Sequence, residues 1–441
     1  MAEFSTPLSE QQFAENFAQL KPLMNRTEAL YESARCLFCF DAPCIQACPS
    51  GIDIPQFIRQ INSGNDTGAA RTIYAANYFG NACGKVCPTE VLCEGACVYN
   101  LQEVKPIEIG RLQSYATTKA IQEDKKLFAP GADNGRRVAV IGAGPAGISC
   151  ACELRSLGYG VDVFEAQAQP SGLTVYGVAP YKITNEETLA EMAYLQSQFG
   201  YSVQYNSPIV SREQLAELEA EYDAVFLGIG LGETNELGLP GEDKINCTGA
   251  VEFIAELRQR HHEMKVGRRV IVLGGGNTAM DAASESARLG AEDVVLAYRR
   301  GKEEMGAYEF EYDLAKGVGV KGLFNVAPLE IVGEDYVTGV RFIRTETAGG
   351  RVREIAGSEF ELPCDMVIKA TGQAKRAGFL AIIPGLEVDG KGRIVADAAT
   401  GQTTNPIYFA SGDARNGGAE VVNAAAEAKL AARGIHAFLS T

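Results

Sequence analysis

Eight of the twelve cysteines fall between residues 36 and 97. Cys36, Cys39, Cys44 and Cys48 form one run, closed by Pro49; Cys83, Cys87, Cys93 and Cys97 form another, with Pro88 after its second member. Thiols at this density, in a chain with no secretory signature, suit metal ligation better than disulfides. The first run approaches the C-x2-C-x2-C-x3-C-P spacing of bacterial ferredoxins, in which the fourth cysteine binds a different cluster from the first three. Here the middle gap is four residues instead of two. Interleaving the two runs would build two iron–sulfur clusters. Structural zinc would want two C-x2-C pairs, and only Cys36 and Cys39 form one.

A second chemistry lies in the glycines. Val138 to Ile141 reads as a buried strand, followed by Gly142, Gly144 and Gly147 in a G-x-G-x-x-G turn, with Pro145 and Ala146 opening a helix. The next strand ends in Glu165. An acid about 20 residues beyond the glycines completes a dinucleotide fingerprint in its proper strand–turn–helix context. The glycines let the backbone approach a pyrophosphate, and the helix N-terminus favours its charge. Glu165 is suited to accept from a ribose diol.

A second copy begins at Arg269, with Gly274, Gly276 and Ala279 in G-x-G-x-x-A. Its following strand ends in Arg299 and Arg300. Arginine at that place suits a 2′-phosphate, so NADPH is expected over NADH. Two fingerprints, the first ending in an acid and the second in arginines, imply FAD first and a nicotinamide nucleotide second. The C-terminal part agrees: one strand ends in Thr371 and Gly372, and another apolar strand precedes Gly412 and Asp413. In flavoproteins of this architecture such a Gly-Asp closes over the ribityl–phosphate region. A last helix from about Glu420 would direct its N-terminus at the isoalloxazine.

These residues need elements to hold them. Residues 10 to 35 read as helical with a break at Pro22, delivering Cys36. Ile54 to Ile61 and Gly68 to Tyr78 read as two helices between the cysteine runs, with Pro55 just inside the start of the first. A helix from about Ile109 to Gln122 places Gln113 and Ala116 on one face. The 441 residues allow about three domains of roughly 150 residues each. The expected class is α/β: an α-helical iron–sulfur domain over residues 1–130, which needs its clusters to fold, then two Rossmann-like domains. The FAD domain takes 131–234 and 370–441, with the NAD(P) domain, 235–369, inserted in it.

The formal charge of −16 leaves no basic excess to replace counterions, so no nucleic-acid partner is expected. No stretch of about 18 apolar residues suggests a membrane span. The first residues carry acids and no apolar core, unlike a signal peptide, and the expected location is the cytoplasm. Cys150 and Cys152 read as packing residues on the first nucleotide helix, and Cys247 and Cys364 as inert. No catalysis is assigned to His261, His262 or His436.

Over nearly its whole length the sequence resembles the small subunit of bacterial dihydropyrimidine dehydrogenase and the N-terminal half of its single-chain animal counterpart. The glutamate synthase small subunit and the large subunit of bifurcating ferredoxin:NADP oxidoreductase share the plan. The resemblance implies one 4Fe-4S cluster on Cys36, Cys39, Cys44 and Cys97. It implies a second on Cys48, Cys87, Cys93 and Gln113, with Cys83 unligated. Spacing alone equally allows Cys83 as the ligand. Glutamine at 113 matches the dihydropyrimidine dehydrogenases, where the other groups commonly carry glutamate. The resemblance further implies that Gly172, Leu173 and Lys182 contact FAD, and that Gly275, Gly276, Asn277 and Thr278 line the nicotinamide nucleotide. Ser171, Lys182, Thr184 and the Met305-Gly306-Ala307 loop depart from the family pattern.

The activity implied is that of an electron-input subunit. NAD(P)H would be oxidised at FAD, and electrons would pass through two clusters to a larger FMN- and iron–sulfur-bearing catalytic subunit in a hetero-oligomer. No side chain of this chain is expected to be catalytic in its own right. Alternatives are the equivalent diaphorase of glutamate synthase or of a bifurcating complex and, from another class, a non-catalytic iron–sulfur docking module.

Overall fold

The computed structural model describes residues 4–440. The first three residues and the last, which fall in the expected 1–130 and 370–441 domains, lie outside the described residues. The chain forms two compact units. The larger takes in Gln19–Val175, Lys182–Leu231 and the stretch from Lys375 onward; the smaller takes in Gly232–Ala374, Tyr176–Tyr181 and residues up to Ala18.

The larger unit begins with the helices that carry the cysteines. Where one helix interrupted at Pro22 was expected, residues 17–25 are non-helical and a new helix, Arg26–Ala34, starts on its own signal. Asn25 accepts from the backbone of Thr27 and Glu28, and Glu28 returns a carboxylate to the Asn25 N–H. This reciprocal cap satisfies donors that a helix start otherwise leaves orphaned. Helices Ile54–Asn62, Asp66–Ala76 and Ile109–Gln122 follow. They bury Phe57, Ile58, Ile73 and Leu112 completely in one core, against which Cys36, Cys44, Cys48, Cys93 and Cys97 pack. Each such apolar side chain contributes about 1.5–3 kcal/mol relative to exposure.

Within the same unit stands a five-stranded parallel sheet. Its order is Tyr408–Ala410, Ala224–Leu227, Arg137–Ile141, Gly160–Phe164, Ser202–Gln204. The outer strand at 408–410 comes from beyond the smaller unit's main segment, so that segment is an insertion in this nucleotide fold. Helix Asn185–Phe199 joins the sheet region to the cysteine helices. Its Glu191, fully buried, accepts from Tyr74 Oη (3.0 Å) and from the backbone N–H groups of Asn81 (2.6 Å) and Ala82 (3.0 Å). That places a carboxylate on the free donors at the start of helix Gly80–Val86, where the helix dipole favours negative charge. Lys85, on the same helix, pairs with Glu187.

The smaller unit has a second five-stranded parallel sheet, ordered Cys247–Gly249, Met366–Lys369, Arg269–Leu273, Asp293–Tyr298, Lys321–Phe324. An antiparallel sheet built on Gly339–Ala348 accompanies it. Helix Glu10–Asn16 belongs to this unit, not to the cysteine helices with which the sequence grouped it. Phe13 stacks on His261 with ring centroids 4.1 Å apart and packs on the unit's core, which is what draws the segment there. Among the described residues no helix is long and apolar enough to cross a membrane.

Candidate functional site

Helix Arg26–Ala34 ends one residue before Arg35, and Cys36 follows with its N–H on the Ser33 carbonyl. Tyr99 Oη donates to the Arg35 carbonyl at 2.7 Å, which pins the end of the second cysteine run to the start of the first. Cys36, Cys39, Cys44 and Cys97 consequently wall one cavity, completed by Leu37, Ile54, Ile58, Val98, Ile107 and Ile109. Burial pushes the Cys44 thiol up to about 12, and the neighbouring Cys36 and Cys97 push the same way. Cys36 is also raised, again chiefly by burial. Burial that holds Cys36 and Cys44 protonated is offset when a cation takes them as thiolates, and loading one releases their protons. Among the described residues, no three His, Cys, Asp or Glu side chains converge to hold one metal ion. A single zinc needs sulfurs about 2.3 Å from one point; thiols ringing a cavity suit a larger group such as a cluster.

The second group forms around helix Gly80–Val86, whose C-cap is Cys87. Cys87 acts electrostatically on Cys48, and both act on Cys93, so the three thiols are neighbours. A hydrogen bond with Cys83, then burial, raises the Cys87 thiol; burial raises Cys93 and Cys48. Helix Ile109–Gln122 lies against helix Gly80–Val86 at two glycines. A Cβ on Gly84 would meet Ser114 Oγ at 2.4 Å, and one on Gly110 would meet the Gly84 carbonyl at 2.5 Å. Glu94 Oε1 ties the Cys93 loop to the same helix by accepting from Gly110 N–H at 2.9 Å. Gln113, 6% exposed, donates Nε2–H to the Gly80 carbonyl at 2.6 Å. Its Oε1 has no hydrogen-bond donor among the described residues and is the atom a cation would use. Cys83 stays beside Cys87, buried, so the geometry brings both candidate fourth ligands to this helix pair.

The first glycine turn is built as a cradle. Gly142 (φ +100°) leaves strand Arg137–Ile141, and a Cβ on Gly147 would meet the Gly142 carbonyl at 1.8 Å. Gly144 is the N-cap of helix Pro145–Ser156, and a Cβ there would find only Gly172 Cα, at 4.0 Å. The helix start is therefore open to a phosphate group. Glu165, 8% exposed, accepts from Ala143 N–H (2.7 Å) and Gln167 N–H (2.8 Å), which leaves a lone pair on each oxygen for a ribose hydroxyl. Ser171 N–H donates to the Ala143 carbonyl at 2.7 Å, so Gly172 and Leu173, which opens helix Leu173–Tyr176, lie over this turn. Ser171 itself holds φ at +81°, where glycine would be at ease. Lys182 is half-buried on the segment after that helix, and Thr184 caps helix Asn185–Phe199. A Cβ on Gly412 would meet Ala146 Cβ at 3.0 Å, which brings Gly412 and the burial-raised carboxyl of Asp413 to the same helix start. Ser411 Oγ, buried and without a hydrogen-bond partner among the described residues, joins them; no sequence signal marked it.

In the smaller unit, Gly274 follows strand Arg269–Leu273 and Gly276 caps helix Asn277–Arg288. A Cβ on Gly276 would meet nothing within 4 Å, whereas one on Gly275 would strike the Tyr298 ring at 2.5 Å. The loop after Arg300 folds back on this turn: Ala307 N–H donates to the Gly275 carbonyl (3.0 Å) and Tyr308 N–H to Asn277 Oδ1 (3.0 Å). Thr278 is exposed on the helix's first turn. Arg299 is exposed and Arg300 half-buried, and neither has an ion-pair partner among the described residues. Glu304, close to them in sequence, instead accepts from Thr347 Oγ1 (2.8 Å) and Gly301 N–H (3.2 Å). Thr371 and Gly372 follow strand Met366–Lys369, with Thr371 Oγ1 and the Gly372 carbonyl both bonded to the Asn235 backbone.

Two family models match the chain. One, described as dihydropyrimidine dehydrogenase domain II, 4Fe-4S cluster, matches residues 13–125. The other, described as pyridine nucleotide-disulphide oxidoreductase, matches residues 136–428. The glutamate synthase [NADPH] small chain of Escherichia coli (strain K12) is 35% identical, over 96% of this chain and 94% of the relative. The NAD-dependent dihydropyrimidine dehydrogenase subunit PreT of Salmonella typhimurium is 34% identical, over 96% and 97%. Among solved structures, Mycobacterium tuberculosis FprA in complex with NADPH aligns with a TM-score of 0.57 at 21% identity, over 69% of this chain and 84% of that one. Thioredoxin reductase of T. acidophilum aligns with a TM-score of 0.53 at 20% identity, over 69% and 100%. At these identities the likeness to solved structures is one of fold.

Proposed function

The chain belongs to the family of FAD- and iron–sulfur-dependent NAD(P)H oxidoreductases that includes the glutamate synthase small chain and the PreT subunit, and on that premise we propose that it is the electron-input subunit of a dihydropyrimidine dehydrogenase. The observation that carries this reading is the cavity ringed by Cys36, Cys39, Cys44 and Cys97, in the same compact unit as the acid-ended glycine turn. A flavin site and a cluster site within one unit suit a device that takes hydride in and lets single electrons out.

When bound, FAD and the clusters supply the conversion of a hydride's electron pair into one-electron transfers. The chain's residues supply position and charge. Gly142, Gly144, Pro145, Ala146 and Gly147 admit the pyrophosphate, Glu165 takes the ribose, and Gly172, Leu173, Lys182, Gly412 and Asp413 surround the flavin end. Gly274, Gly275, Gly276, Asn277, Thr278, Thr371 and Gly372 hold the nicotinamide nucleotide. Arg299 and Arg300, unpaired cations at the strand end, favour NADPH through its 2′-phosphate. The names of the relatives pull both ways on this point, one being NADPH-dependent and the other NAD-dependent.

Gln113 supports the pyrimidine branch. The partner is a larger FMN- and iron–sulfur-bearing subunit that reduces uracil or thymine to the 5,6-dihydropyrimidine. The 35% identity to a glutamate synthase small chain favours a second reading, the same module feeding that enzyme. Co-purification from the native host tests both. Uracil or thymine should reoxidise the NADPH-reduced complex; capture of a glutamate synthase large chain, with no response to pyrimidines, overturns the first reading in favour of the second.

A further inference from the structure

We propose that Lys21 is a positioning residue of the electron path, a built-in counter-charge that makes the cluster on Cys48, Cys87, Cys93 and Gln113 easier to reduce. The inference rests on the cluster assignment proposed above. Lys21 lies in the non-helical stretch before helix Arg26–Ala34, 66 residues from the group it reaches. Its Nζ donates to the carbonyl oxygen of Cys87 at 3.2 Å and to Thr89 Oγ1 at 2.8 Å. Thr89 is 2% exposed, which fixes the closer anchor, and the lysine side chain is itself only 18% exposed.

Both hydrogen bonds end on uncharged oxygens. The nearest carboxylate contact is Glu90, at 3.9 Å and more open to solvent. The ammonium is therefore held on a ligand residue's own backbone, with no carboxylate in direct hydrogen-bond contact among the described residues. Its charge reaches the thiols of both Cys87 and Cys93. Glu94, next to Cys93 in the chain, and Glu420 bring carboxylates of the opposite sign to this group, so Lys21 offsets negative charge that the site would otherwise carry uncompensated. The other cysteine group has a different neighbour: Arg59, stacked over the Phe38 ring at 4.9 Å and acting on Cys36, is exposed. Water screens an exposed charge far more than a part-buried one.

A cluster held here would gain one negative charge on taking up an electron. Cluster potential follows net charge and hydrogen bonding around the sulfurs. A fixed cation therefore stabilises the reduced form more than the oxidised form. Gln113, a neutral amide where a thiolate would otherwise stand, acts in the same direction.

The test is a redox titration of the purified holoprotein, followed by electron paramagnetic resonance, for Lys21→Gln, Lys21→Arg and the distant control Lys126→Gln. Lys21→Gln should disfavour reduction of one cluster about tenfold, a drop of about 59 mV for one electron, with FAD content and the other cluster unchanged. Lys21→Arg should restore most of the loss, and Lys126→Gln should have no effect. A native midpoint in fully loaded Lys21→Gln, or an equal drop in Lys21→Arg, overturns the proposal. If Lys21→Gln loads iron poorly, Thr89→Val removes the closer anchor and keeps the charge; a smaller drop supports the proposal and none overturns it. Wild-type protein with only about four iron atoms per chain would instead sink the two-cluster reading on which the proposal rests.

Discussion

Gln113 gives its amide N–H to the carbonyl of Gly80 across 2.6 Å, which commits one end of the side chain to protein and turns the oxygen free. If that oxygen serves iron, Gln113→Ala should change the signal of one cluster and lower iron content while FAD stays bound. Gln113→Glu should keep the iron and lower that cluster's potential, because a carboxylate adds negative charge. Iron analysis with paramagnetic resonance checks both. Unchanged spectra in Gln113→Ala would return the ligand role to Cys83.

Arg299 and Arg300 have no carboxylate ion-pair partner among the described residues, although Glu303 and Glu304 follow them in sequence. A charge-assisted hydrogen bond to a phosphate contributes about 1.5–3 kcal/mol. Replacing either arginine by alanine should therefore raise KM for NADPH roughly tenfold or more and leave KM for NADH within about twofold. Steady-state dye reduction with the two nucleotides measures this. Equal effects on both would remove the reason for preferring NADPH.

Glycine was legible because its role is a negative one: Gly147 and Gly274 stand where a side chain would strike a backbone carbonyl, that of Gly142 or of Ala370. Helix Ile109–Gln122 was legible in full because its apolar spacing and its end coincide. The restart at Arg26 was not, although Asn25 and Glu28 carry its signal, because Pro22 drew attention to a break three residues too early. Lys21 and Glu191 could not be found at all. Each acts on residues more than sixty positions away, and nothing local distinguishes them from surface charges.

Glu191 gives the fold a pH dependence of definite sign. Burial lifts its carboxyl from 4.5 to about 7, against the three donors that pull it down. The folded state therefore holds this proton where the unfolded chain has lost it. Stability from this group is full below pH 4.5 and declines as pH rises towards 7, by up to about 3 kcal/mol. In Glu191→Gln that decline should vanish. Unfolding midpoints of the holoprotein between pH 4.5 and 7 give the comparison; parallel curves would contradict the assignment.

Gly147→Ala places a methyl 1.8 Å from the Gly142 carbonyl, a distance no small adjustment relieves. The turn must open, so the variant should purify without yellow colour. Its iron should remain, since the cysteine groups share no atom with this turn. Flavin release on denaturation and iron content, measured on one sample, separate the two effects.

Strand Tyr408–Ala410 docks beside Ala224–Leu227 although residues 228–407 lie between them in the chain. During translation the whole of that intervening stretch is synthesised before the outer strand, and Gly412 and Asp413 behind it, exist. Domains fold as units while they emerge. A nascent chain halted between Ala279 and Tyr408 has its cluster thiols and both glycine turns but lacks the last wall of the flavin pocket. Cofactor retention thus reports that synthesis has run past this point, and a prematurely terminated product would betray itself by holding iron without flavin.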